Sequence, residues 1–71
     1  MATDICALVG DRIRHLRRER GWSQLYLAAT TGMSKTFVCD LENGEKEPCL
    51  RTVKILADSF GLTLGEFFGG L

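Results

Sequence analysis

Apolar residues recur at helical spacing in five blocks of the chain, each bounded by polar caps or glycines. Ile5, Leu8, Val9, Ile13 and Leu16 lie at helical intervals in a stretch that ends at Gly21. This predicts a first amphipathic helix over about 5–20, capped by Thr3 or Asp4. Ser23 caps a second helix over about 24–31, Ser34 a third over about 35–42, and Asn43-Gly44 closes that one. Pro48 fixes the entry to a fourth helix whose apolar face is Leu50, Val53, Leu56, Ala57 and Phe60, with Gly61 as its stop. Thr63 followed by Glu66 forms a capping box for a short fifth helix carrying Leu64, Phe67 and Phe68. The expected fold is all-α: one compact five-helix domain over residues 1–71, without repeat or linker.

Between residues 24 and 43 the second and third helices are joined by a sharp turn, and each telling position has a steric reason. Ala28 is small enough for two helices to cross closely. Gly32 follows an apolar helical stretch and takes the left-handed backbone without a Cβ penalty. Met33 drops an apolar side chain into the angle between the helices, and Val38 and Leu41, three apart, supply the buried stripe of the second one. This is the pattern of a helix-turn-helix, the unit that sets one helix in the major groove of DNA.

Composition narrows the class. An apolar content of 45% with 25% charged residues is that of an ordinary globular protein, and 71 residues leave no room for a second domain. The longest uncharged stretch, 21–34, is broken by Ser, Gln and Thr, so neither a signal peptide nor a membrane span is expected and the protein reads as cytoplasmic. Cys6, Cys39 and Cys49 are odd in number and far apart, with His15 the one imidazole. That argues against a zinc site and for reduced thiols. Net charge is zero, yet Arg12, Arg14, Arg17, Arg18 and Arg20 make the first helix basic while Asp40, Glu42, Glu45 and Glu47 make the segment after the turn acidic. A dipolar domain can still bind phosphates on one face.

Taken together, residues 10–24, the framework of Leu27, Ala28, Gly32, Val38 and Leu41, the L-E-N-G at 41–44 and the stretch 48–57 resemble the Cro and phage-repressor (Xre-like) helix-turn-helix family. The resemblance covers nearly the whole chain, and several motifs in the right order make it specific.

It implies a set of contacts with double-stranded DNA. Gln24 stands where the family carries a phosphate-clamping Gln that also braces the recognition helix. Ser34, Lys35 and Thr36 open that helix, where Lys35 can donate to guanine O6 and N7 and Thr36 can meet a base edge or a thymine methyl. Phe37 either packs against the helix or lies along the sugar-phosphate backbone. Cys39 and Asp40 follow on the same helix. Asp40 either accepts from cytosine N4 or pairs with Lys35 or Arg51 and only orients a contact residue. Asn43 and Lys46 are placed to grip phosphates from the turn, with Arg12 and Arg17 or Arg18 doing so from the first helix. Glu42 is expected to pair with a first-helix arginine, Arg17 above the others. Leu25 and Tyr26, apolar where the family is polar, either cover the segment 1–5 or let Tyr26 touch the DNA backbone, the first being favoured.

A catalytic reading fails on one His, no Ser-His-Asp or Cys-His arrangement at usable spacing, and no Gly-rich phosphate loop. No cofactor, metal, membrane or small-molecule ligand is expected. The leading function is a sequence-specific transcriptional regulator that binds a palindromic operator as a homodimer, similar to restriction-modification controllers or phage repressors. The alternative is a helix-turn-helix protein-interaction module or antitoxin without operator binding of its own. A short helix has one inward face, so Phe67 is assigned to the core and Leu64, Phe68 and Leu71 to the dimer contact.

Overall fold

Five helices form in the expected order: α1 (Ile5–Glu19), α2 (Gln24–Thr31), α3 (Lys35–Glu42), α4 (Leu50–Ser59) and α5 (Leu64–Phe68), in a computed structural model that describes residues 4–69. No strand occurs among the described residues. Two expectations, Thr3 as a cap and Leu71 as a contact, lie outside them.

The caps are local and behave as their chemistry requires. Asp4 accepts from the Cys6 N–H, Ser23 from Tyr26 and Ser34 from Phe37. Thr63 and Glu66 bond reciprocally, side chain to backbone, as a capping box. Each such cap satisfies a donor that the helix leaves orphaned and is worth about 1 kcal/mol relative to Ala. The fourth helix departs from expectation. It opens at Leu50, two residues beyond Pro48, with Cys49 in the N-cap position and no side-chain cap bond.

Val9, Ile13 and Leu16 of α1 meet Leu27 and Ala28 of α2, Val38 and Leu41 of α3, Val53, Leu56, Ala57 and Phe60 at α4, and Phe67 of α5 in one buried cluster. Trp22, Met33, Phe37 and Leu62 pack around it. Two residues assigned to inward faces are instead outside: Ile5 is 57% exposed and Leu50 81%. Both are the first residues of their helices. A helical side chain leans over the turn N-terminal to its own Cα, and for a first residue that turn is not part of the helix stacked on the core.

α1 is the member that holds the others. Gly10 faces the end of α3 so closely that a Cβ there would sit 2.7 Å from the Glu42 carbonyl oxygen and closer still to that of Leu41. Beyond this contact, Arg12 and Arg14 of α1 and its C-cap Arg20 reach the C-terminal ends of three different helices. Arg14 Nη2 donates to the Glu42 carbonyl at the end of α3 (3.0 Å), Arg20 Nη2 to that of Phe60 after α4 (2.7 Å), and Arg12 Nε to that of Phe67 in α5 (2.7 Å). The last carbonyls of a helix have no intrahelical partner and carry the negative end of its dipole, so a guanidinium there satisfies both needs. Much of the basicity of the first helix is therefore internal scaffolding.

Candidate nucleic-acid interface

The turn that aims α3 is built on Gly32, whose φ of +75° lies in the left-handed region. Its N–H and that of Met33 both return to the Ala28 carbonyl, closing α2 as the chain bends. Ser34 then starts α3, and Val38 and Leu41 turn inward at 0% and 1% exposure. At 100° per residue, positions 35, 36, 39, 40 and 43 share the opposite face. Ser34, Lys35, Thr36 and Asn43 are exposed there, and Cys39 and Asp40 half-buried.

The structure sorts the alternatives left by the sequence. Phe37 is half-buried and packs against the core cluster, with part of its ring left exposed. Asp40 takes part in none of the ion pairs among the described residues, so neither Lys35 nor Arg51 neutralises it. Lys46 is exposed in the turn after α3. Leu25 and Tyr26 stay 63% and 52% exposed, with the Tyr26 ring 5.1 Å from that of Trp22. Ile5 does not reach them. It lines a mostly apolar groove with Leu50, Val53 and Phe68, edged by Glu47.

Two arginines expected at phosphates are engaged by the protein's own oxygens, Arg17 in the interior and Arg12 half-buried. Arg17 is 9% exposed; its Nε and Nη2 bond the two Glu42 carboxylate oxygens at 2.6 and 3.0 Å, and its Nη1 donates to the Trp22 carbonyl at 2.8 Å. Arg12 directs its Nε and Nη2 to the Phe67 and Glu66 carbonyls. A guanidinium whose donors already bond protein oxygens has less to offer a phosphate. Of the α1 arginines named for that role, Arg18 stays exposed.

Glu42 is the hub of this interior. It is 2% exposed and accepts from Arg17 and from Gln24 Nε2 (3.1 Å), with Arg14 Nε at 3.6 Å. Burial on its own raises a carboxyl pKa. Here the hydrogen bonds from Arg17 and Gln24 and the charges of Arg17 and Arg14 outweigh it and hold Glu42 below the usual carboxylate range. The same hydrogen bond pushes Arg17 up. Gln24 thus braces the last residue of α3 from the first residue of α2, and Glu42 ties both helices to α1. No buried side-chain nitrogen or oxygen is left unpartnered among the described residues.

At the C-terminal end, Phe67 is fully buried while Phe68 and Leu64 are 36% and 38% exposed. Among the described residues no group of three metal-ligating side chains assembles, and no helix is long and apolar enough to cross a membrane.

The pattern of the family described as "Helix-turn-helix" matches residues 13–67, from the middle of α1 into α5. The chain belongs to the Xre-like helix-turn-helix family. It is 36% identical over 59 residues to the HTH-type transcriptional regulator AnsR of Bacillus subtilis, covering 83% of this chain and 51% of that protein. With the immunity repressor protein of Bacillus phage phi105 it shares 31% over 61 residues, 86% of this chain and 42% of that one. The chain spans about half the length of these relatives. The crystal structure of the restriction-modification controller protein C.AhdI from Aeromonas hydrophila superposes with a TM-score of 0.87 at 29% identity, over 93% of this chain and all of that one.

Residues that the sequence reading passed over are those that act across helices. Gly10 and the strut roles of Arg12, Arg14 and Arg20 need the docking of α1 onto three helix ends to become visible. Gly10 alone left a signal. A glycine inside an otherwise amphipathic helix weakens it and so marks a close approach.

Proposed function

We propose that this domain is a sequence-specific DNA-binding transcriptional regulator, with α3 as the recognition helix and a homodimer on a palindromic operator as the binding form. One observation carries the reading: Lys35 and Thr36 stand exposed on the first turn of α3 while Val38 and Leu41 anchor its other face in the core. A recognition helix must be rigid from behind and unencumbered in front, and this one is both. Lys35 and Thr36 read base edges; Asp40, which has no ion-pair partner among the described residues, accepts from a cytosine N4 and penalises other bases at its position. Ser34, Gln24, Asn43 and Lys46 surround them as backbone contacts, with Cys39 on the same face. The similarity to a phage repressor and a restriction-modification controller supports a small regulator of that kind.

The homodimer reading is supported by Leu64 and Phe68, whose exposure leaves apolar surface along one side of α5, and the proposed contact includes Leu71. A two-fold contact there would space two recognition helices for half-sites one DNA turn, about 34 Å, apart. Selection of duplexes from a random pool with the purified protein tests the reading. An enriched inverted repeat is expected, and a pool that stays random would refute it.

A further inference from the structure

We infer that Arg14 is a positioning residue for DNA contact: it turns the Asn43 side chain so that a hydrogen-bond donor faces the phosphate backbone at the end of α3. The inference rests on the DNA-binding reading above and adds a residue to it.

An asparagine amide has a donor end and an acceptor end of nearly equal shape, and it discriminates against neither orientation by itself. A phosphate accepts only. Asn43 Oδ1 turned toward the backbone would be repelled, and Nδ2 turned toward it would bond. Arg14 decides the matter, because a guanidinium has donors and no acceptor. Its Nη2 lies 3.0 Å from Asn43 Oδ1, so the oxygen end must face α1. The nitrogen end then faces the other way, where one hydrogen reaches Cys39 Sγ at 3.5 Å and the second has no partner among the described residues. Asn43 is exposed at the C-cap of α3, so this donor is open to a ligand from solvent.

Arg14 is itself held for the task. The same Nη2 donates to the Glu42 carbonyl at 3.0 Å, Nε lies 3.6 Å from Glu42 Oε1, and Nη1 is 3.5 Å from Asp11 Oδ1. Gly10, one turn earlier on α1, lets the end of α3 come near enough for this reach. The guanidinium is therefore fixed by groups that do not contact DNA, and its geometry is passed on to one that does.

The test is a double-mutant cycle read by DNA affinity. Wild type, Arg14→Met, Asn43→Ala and the double variant are titrated by fluorescence anisotropy against one duplex, selected from a random pool by the wild-type protein. Arg14→Met is expected to weaken binding by about three- to ten-fold, the size of one well-placed hydrogen bond, and Asn43→Ala by a similar factor. The double variant should bind no worse than Asn43→Ala alone. The slope of log affinity against log salt should be the same in Arg14→Met as in wild type, whereas direct phosphate contact by Arg14 would lower it by about 0.9. Should Arg14→Met melt below the assay temperature, Arg14→Gln, which is too short to hold the Glu42 carbonyl and Asn43 Oδ1 at once, carries the same cycle. An Arg14→Met loss of equal size with and without the Asn43→Ala change, a lowered salt slope, or no loss at all would overturn the inference while leaving the DNA-binding reading intact. A wild-type protein that selects no duplex would remove the reading itself, and the inference with it.

Discussion

Arg17 and Glu42 meet in the interior as a two-pronged ion pair, Nε to Oε2 at 2.6 Å and Nη2 to Oε1 at 3.0 Å, and through it α1 holds the last residue of α3. Such a pair is weak evidence for net stability, since desolvation offsets much of the attraction. Its value here is positional. Gln24 of α2 bonds the same carboxylate, so three helices share one fixed point.

Removing one partner is the costly change. Arg17→Met would strand the Glu42 carboxylate, and loss of a buried partner costs about 3–5 kcal/mol. For a domain of this size that corresponds to a fall of more than about 10 °C in Tm. Calorimetry checks it, and a shift of only a degree or two would mean that the pair is not closed in solution.

Glu42 also sets a pH dependence. Its carboxyl is held below the ordinary range when folded, and an unfolded Glu titrates near about 4.3. Between those two values the unfolded chain binds the proton and the folded one does not, so stability falls as pH drops through the window and is fully present above about pH 5. Glu42→Gln should be less stable at neutral pH, where it leaves Arg17 short of a counter-charge, yet lose less on going from pH 7 to pH 3. Parallel curves for the two proteins would contradict this.

A third expectation concerns the turn. Open space surrounds the position where a side chain on Gly32 would begin, so a substitution there meets no clash and carries the cost of backbone strain alone. At φ +75° that strain is about 1–3 kcal/mol, larger for a branched residue. Gly32→Val should therefore lower Tm by several degrees or more. An unchanged midpoint would place the strain of the turn elsewhere.

The helix-turn-helix was legible in the sequence because its signals are short-range. Ser23, Gly32 and Ser34 act on neighbours within a few residues, and α2 and α3 have the bounds that those caps and the apolar spacing predict. The pairing of Glu42 with Arg17 was within reach only through the resemblance, whose L-E-N-G motif pairs its acid with a first-helix arginine; the burial of both was not legible. The assignments of Ile5 and Leu50 failed at helix starts, where periodicity continues a face that the core does not. The basic run of α1 misled for a deeper reason. Exposed and buried arginines look alike in sequence, and only the docking of helix ends onto α1 separates Arg18, left outside, from Arg12, Arg14, Arg17 and Arg20.

The exposed end of α5 gives a prediction about assembly. Phe68 is 36% exposed beside the buried Phe67, so Phe68→Asp should leave the fold intact while weakening self-association and operator binding together. Sedimentation equilibrium is the check. A wild-type protein that stays monomeric at high micromolar concentration would contradict the dimer.

In the proposed reading of DNA sequence by the outer face of α3, Lys35 stands foremost. The direct measurement is the affinity of wild type and Lys35→Ala for the selected operator and for single-base-pair variants of it, at fixed salt. Lys35 is exposed, so Tm should not change, while operator affinity should drop by about 1–3 kcal/mol and preference should relax at one base pair. A Lys35→Ala protein that binds the operator and discriminates at every position as wild type does would show that the reading face lies elsewhere.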